Sequence, residues 1–139
     1  MLMRSFEIPG KPKGKGRPRV TRNATYTPKQ TVLYENLVKT CYLAKYGGKG
    51  MIEVNIKARI YAYFSIPKSI SKKNRIKMLK NEILPTKKPD LDNIAKIVLD
   101  SLNGIAYHDD SQIVDLNITK RYAALPQVYV ELLYDDEIS

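Results

Sequence analysis

Residues 52–64 hold the most restrictive pattern in the chain: Ile52, Val54, Ile56, Ala58, Ile60, Ala62 and Phe64 alternate with Glu53, Asn55, Lys57, Arg59, Tyr61 and Tyr63. A period of two puts each set on its own face of an extended chain, so the segment predicts a long strand with one buried face. Pro67 ends it. Such a strand needs partners at its edges and a layer over its apolar side. Three further segments offer themselves as partners. Residues 2–8 predict a short strand with Leu2, Phe6 and Ile8 on one face. Val114, Leu116 and Ile118 alternate, as do Val128, Val130, Leu132 and Tyr134. Only Ala123-Ala124-Leu125-Pro126 separates those two runs, which predicts an antiparallel hairpin.

The covering layer comes from helical periodicity. Thr27-Pro28 reads as an N-cap followed by proline at the first helical position. Leu33, Leu37, Cys41 and Ala44 then form a stripe that stops at Gly47-Gly48. Residues 69–81 predict a short basic helix with Ile76 and Leu79 as a thin apolar stripe. Leu91, Ile94, Val98 and Leu102 recur at steps of three and four, a core-facing helix closed by Gly104. The order is β-α-β-α-α-β-β, with too few helices for one crossover per strand. The expected fold is therefore α+β: a single domain over residues 1–139, with a mixed sheet of about four strands packed with two to three helices. Residues 135–139 are expected to fray.

Residues 9–26 resist regular structure, because Pro9, Pro12 and Pro18 remove donors and Gly10, Gly14 and Gly16 loosen the backbone. They predict a basic flexible loop. Lys11, Lys13, Lys15, Arg17, Arg19 and Arg22 fall within twelve residues of it. Lys68, Lys72, Lys73, Arg75, Lys77 and Lys80 make a second basic group, which a merely solvated surface explains equally well. The chain's formal net charge is +10 (24 basic residues less 14 acidic). That excess favours a polyanionic partner. Nucleic acid is preferred to membrane, since no apolar run approaches the roughly 20 residues of a span. The absence of a signal-type stretch predicts the cytoplasm. A lone Cys41 excludes a disulfide within the chain and a thiolate zinc site, and a lone His108 excludes multi-histidine zinc chemistry. No small-molecule cofactor is indicated.

Against this basic background, acids gather in KPDLDNIAKIVLDSLNG and YHDDSQ. Magnesium takes oxygen ligands, commonly one or two carboxylates with phosphate and water. Asp90 and Asp92 would diverge by about 200° inside a helix, so they face one ion only if Asp90 stands at or before the N-cap. Lys96, four residues past Asp92, shares its face and is placed to neutralise a phosphate oxygen or orient a water. Asp109 and Asp110 leave the loop after that helix and converge on the same ion if the next strand runs back beside the helix start. Ordinary explanations compete. Acids favour helix N-termini, Asp90 with Asn93 resembles a cap, Lys96 has Asp92 and Asp100 as ion-pair partners, and Asp109-Asp110-Ser111 suits a turn. An EF-hand is excluded, because the sixth position is Ala95 and the twelfth Ser101.

The combined pattern Asp90-Leu91-Asp92-Asn93, Lys96, and Asp109-Asp110-Ser111-Gln112 resembles the signature of the RusA family of Holliday junction resolvases. The stretch KPKGKGRPRVTRNATYTP resembles that family's basic, proline-punctuated loop. The resemblance implies a RusA-like fold with Asp90, Asp92 and Asp110 as catalytic metal carboxylates, Lys96 as the catalytic lysine and Asp109 as a supporting acid in the metal set. Lys11, Lys13, Lys15, Arg17, Arg19, Arg22 and Lys88 would contact DNA. The implied activity is Mg²⁺-dependent hydrolysis, with Mn²⁺ as a substitute, that resolves four-way junctions by symmetric paired nicks. One chain carries one acidic cluster, so two nicks call for a C2 homodimer. Two alternatives stay open: a non-catalytic basic DNA-binding module, and a phage nuclease that cuts flaps or forks.

Overall fold

The computed structural model describes residues 1–16, 19–20, 22, 25–26 and 28–135. Its main sheet holds β1 (Leu2–Pro9), β4 (Ile56–Ser65), β5 (Ile113–Ala123) and β6 (Gln127–Tyr134) in the order β1-β6-β4-β5. β6 runs antiparallel to both β1 and β4, whereas β4 and β5 are parallel, so the sheet is mixed. Register is fixed across the centre, where Ile60 faces Val130 on one side and Ile118 on the other. Three helices complete the expected α+β arrangement: α1 (Lys29–Tyr46), α2 (Lys72–Leu79) and α3 (Leu91–Ser101). The inward residues Phe6, Ile8, Ile56, Ile60, Phe64, Val130 and Leu132 pack with Val38 and Tyr42 of α1 and Ile94, Ile97 and Val98 of α3 in one core.

The hairpin expected between the last two strands does not form. β4 lies between β5 and β6, and residues 124–126 step over it. Two inter-strand spacings amount to about 9.6 Å, which the four Cα steps from Ala123 to Gln127 can span. A short link between alternating runs therefore does not separate neighbours from next-neighbours. The parallel pairing of β4 and β5 needs a long crossover, and residues 66–112 provide it with α2 and α3.

Other differences follow from side chains that have both an apolar body and a polar tip. In α1 the buried positions are Thr31, Tyr34, Val38 and Tyr42, one residue on from the expected Leu33–Leu37–Cys41–Ala44 stripe. Leu33 is 57% exposed, whereas Tyr42 is 1% exposed and its hydroxyl accepts a hydrogen bond from Arg4 Nη1 at 2.7 Å. Arg4 also donates to the Gly50 carbonyl at 2.9 Å and to the Tyr134 hydroxyl at 3.1 Å. Thus Arg4, not Leu2, continues the inward face of β1 beyond Phe6 and Ile8. In α2 the buried residue is Met78, and Ile76 and Leu79 are exposed. In α3 Leu91 is exposed, although Ile94, Val98 and Leu102 are buried as expected.

The long alternating strand begins at Ile56, four residues later than its pattern. Ile52 is still buried, held by an isolated bridge to Tyr107. The 9–26 segment is not wholly irregular either, for β2 (Arg19–Val20) pairs antiparallel with β3 (Thr25–Tyr26). The Thr27 cap and residues 136–139 of the expected frayed tail lie outside the described residues. Pro28 occupies the N-cap position of α1 and gives no side-chain cap.

Candidate active site

The start of α3 separates two concave surfaces. On one side, a groove of about 520 Å³ runs between α3 and β5, lined by Leu91, Asp92, Ala95, Lys96, Leu99, Asp100, Asp110, Leu116 and Ile118. On the other, a pocket of about 530 Å³ is lined by Lys11, Pro12, Lys13, Gly14, Lys15, Lys88, Pro89, Asp90 and Asn93. Helix geometry explains the division. Asp92, Lys96 and Asp100 lie four residues apart and form one stripe toward β5. Asp90 is the N-cap, with φ −71° and ψ 157°, so its side chain leaves from extended backbone. It makes no capping hydrogen bond, which removes the cap reading of that carboxylate.

The second acidic segment is fixed by Gln112. A 3-10 turn spans Asp110–Gln112 just before β5. Gln112 Nε2 donates to the carbonyls of Ile52 at 2.9 Å and Val54 at 3.0 Å. Its Oε1 accepts from the backbone N–H of His108 at 2.8 Å and of Asp109 at 3.2 Å. One side chain thereby ties the acidic turn to the segment that leads into β4. Tyr107 anchors the other end of the loop, its buried hydroxyl donating to the Leu99 carbonyl at 2.6 Å. Burial raises the Tyr107 phenol above its ordinary range, and the Asp110, Asp100 and Asp109 carboxylates push the same way.

Asp109 and Asp110 do different things. The Asp109 carboxylate accepts from Ser111 N at 3.0 Å as half of a capping box with Gln112. The Ser111 side chain first, and its backbone N–H second, hold the Asp109 carboxyl below the ordinary value. Asp110 turns into the groove, which Asp100 lines with it. Its carboxyl is raised, first by burial and then by the Asp100 and Asp109 carboxylates.

The structure thus brings Asp92, Lys96 and Asp110 into one groove and places Asp90 in the adjoining cationic pocket. Among the described residues no three acidic, histidine or cysteine side chains are close enough to enclose a metal. Asp100 is a groove residue that sequence reasoning treated only as an ion-pair partner for Lys96. Its four-residue spacing from Lys96 was the available signal.

Of the expected DNA contacts, Lys11, Lys13, Arg22 and Lys88 are exposed. Arg17 lies outside the described residues, and Arg19 sits in β2. Lys15 is half-buried and engaged: its Nζ donates to Glu35 Oε2 at 2.8 Å and lies 3.4 Å from Asp100 Oδ2. Burial opposes its charge, but the two carboxylates outweigh that and raise its pKa. A further basic corner adjoins Lys88. Lys120 Nζ donates to the Lys87 carbonyl, and both ammonium groups stand over the Phe64 ring, at 5.3 and 5.7 Å from its centroid. Among the described residues no helix is long and apolar enough to cross a membrane.

The chain is 35% identical over 131 residues to the uncharacterized protein YqaN of Bacillus subtilis (strain 168), covering 90% of this chain and 92% of that one. The family description Endodeoxyribonuclease RusA matches residues 9–133, which takes in the basic loop, the acidic groove and the whole crossover. The chain belongs to the RusA family of endodeoxyribonucleases.

Proposed function

We propose that this protein is a Mg²⁺-dependent endonuclease that cuts branched DNA, with the four-way junction as substrate and a C2 homodimer as the working unit, in the cytoplasm of a bacterial or phage-infected cell. The observation that carries the proposal is the meeting of Asp92, Lys96 and Asp110 in one groove beside a lysine-lined pocket that holds Asp90. A structural acid cluster has no need of an adjacent cationic channel. A phosphodiester nuclease needs both.

The donor set suits magnesium. It is all carboxylate oxygen, and it includes Asp100 and Asp110, which line the same groove. Like charges so placed repel, and a divalent cation reverses that repulsion. Asp92 and Asp110 would hold the ion, with Asp90 reaching it from the neighbouring pocket and Asp109 supporting the turn. When bound, the ion supplies Lewis-acid polarisation of the phosphate and a more acidic water. The chain's own groups do the rest. Lys96 offsets charge that builds on a non-bridging phosphate oxygen. Lys11, Lys13 and Lys88 hold the flanking backbone. Gln112 and Tyr107 keep the acidic turn in place.

The test is digestion of a synthetic four-way junction, with flap, fork and linear duplex as comparison substrates, in Mg²⁺ and in EDTA. Paired symmetric nicks in the junction with Mg²⁺ are expected, and Mn²⁺ should substitute. Cutting of flaps or forks in preference moves the substrate assignment to the phage-type alternative. No cutting of any branched DNA by folded protein overturns the nuclease reading and leaves a DNA-binding module.

A further inference from the structure

Lys15 belongs by sequence to the DNA-binding loop, yet its charge points inward. Its ammonium bridges Glu35 of α1 at 2.8 Å and Asp100 of α3 at 3.4 Å. Its backbone N–H donates to the Asn93 carbonyl at 3.1 Å. The neighbours on both sides are fitted as closely. A Cβ on Gly14 would stand 2.9 Å from Pro89 Cβ and 3.1 Å from Asn93 Cβ, beside Asp90 and Asp92. Gly16 N donates to Thr31 Oγ1 at 3.1 Å, and a Cβ there would meet that oxygen at 2.5 Å. Residues 14–16 are therefore a stitch between the N-terminal half of α1 and the whole length of α3. Asp100, the residue Lys15 holds, lines the same groove as Asp110, and its carboxylate helps raise that of Asp110.

We infer that Lys15 is a positioning residue of the nuclease site, which fixes Asp100 and through it Asp110, and that it is not a phosphate contact. A free phosphate-binding lysine gains its affinity by releasing counterions from DNA. Lys15 already has two carboxylate partners, and leaving them for a phosphate would strand Glu35 and Asp100. What it supplies is a fixed cation behind the acidic groove. It keeps Asp100 from being driven away from Asp110 while the site is without metal.

This rests on the proposed nuclease reading, so the test needs a readout besides cutting. The variants are Lys15→Ala, Lys15→Arg and Glu35→Gln. Glu35 lines neither the groove nor the pocket, so its loss reports on the stitch alone. Three quantities are measured: the single-turnover cutting rate at saturating junction, junction affinity against salt in EDTA, and the Mg²⁺ concentration that half-saturates the thermal shift. Outer-shell support of this type is worth roughly 10- to 100-fold in metal affinity or activity. Lys15→Ala should therefore lower the saturated rate and weaken Mg²⁺ by about 10-fold or more, with junction affinity and its salt slope unchanged. Lys15→Arg should restore most of the loss, and Glu35→Gln should reproduce it without adding to Lys15→Ala.

The inference is overturned if Lys15→Ala keeps the saturated rate and Mg²⁺ response while its salt slope drops by about 0.9, the signature of one lost phosphate contact. Retention of all three wild-type values overturns it as well. If Lys15→Ala does not fold, Lys15→Arg and Glu35→Gln decide by the same measurements. A wild-type protein that binds Mg²⁺ but cuts nothing refutes the proposed function, and the Mg²⁺ comparison still decides the role of Lys15. A wild type without any Mg²⁺ response overturns both.

Discussion

Replacing Gln112 tests whether one side chain holds the acidic turn. Gln112→Ala removes four hydrogen bonds, two donated to Ile52 and Val54 carbonyls and two accepted from His108 and Asp109 N–H groups. A typical hydrogen bond contributes a net value near 1 kcal/mol, and the exposed members of this set contribute less, which gives a loss of about 2–4 kcal/mol. For a domain of this length, 1 kcal/mol moves the melting midpoint by about 3–5 °C, so a fall on the order of 10 °C is expected. The assay is thermal unfolding followed by circular dichroism in EDTA, where no metal contributes. Gln112→Glu sharpens the test. It keeps the shape and the accepting oxygen but turns a second carboxylate oxygen toward two carbonyls. At pH 7 it should be at least as unstable as the alanine variant. Carbonyl contact raises the new carboxyl's folded-state pKa, so stability should return as pH falls through that value. Both variants should cut slowly, because Asp110 is in the same turn. A midpoint within about 1 °C of wild type for Gln112→Ala, or a stable Gln112→Glu at pH 7, would refute the reasoning.

Three further outcomes are expected. Asp90→Asn, Asp92→Asn and Asp110→Asn should each abolish junction cutting in a gel assay while binding survives; lost binding at unchanged folding speaks against a metal role. Without metal, Asp110→Asn should also melt higher at pH 7, since it removes a partly buried carboxylate that shares its groove with Asp100. The raised folded-state pKa of Asp110 costs stability above that value, so this gain should shrink as pH is lowered through it. Gly14→Ala places a methyl 2.9 Å from Pro89 Cβ and should destabilise by roughly 1–3 kcal/mol with loss of cutting, whereas Gly48→Ala, with open space around it, should do neither. Lys11→Ala, Lys13→Ala and Lys88→Ala should each lower the salt slope of junction binding by about 0.9, measured by titration at several salt concentrations.

What the sequence disclosed, and what it withheld, follows from the reach of local patterns. Alternation identified β4 because its apolar face is covered throughout. The same pattern overran into Ile52 and Val54, which face inward because Gln112 and Tyr107 hold them there. The acids were legible because Asp-x-Asp at a helix start and a following Asp-Asp are short-range features. Their distribution between two concavities was not, since that depends on the path of β5 beside α3. Apolar counting found only the margin of the buried face of α1: Leu37 and Cys41 pack against the core, Leu33 is exposed, and Tyr34, Val38 and Tyr42 lie at the centre. No local signal distinguishes Lys15 from Lys11 and Lys13. Only the packing of α1 against α3 gives it Glu35 and Asp100 as partners.

The strand order has a bearing on when this protein can cut. β1, near the start of the chain, is bonded only to β6, and β6 follows Asp90, Asp92, Asp100, Asp109 and Asp110 in sequence. During synthesis the first strand must wait for the last one before it can join the sheet. The carboxylates meanwhile lie in the crossover between β4 and β5, while β4 still lacks β6 along its other edge. A ribosome-bound fragment that already carries the proposed site carboxylates thus still lacks the strand that joins β1 to β4.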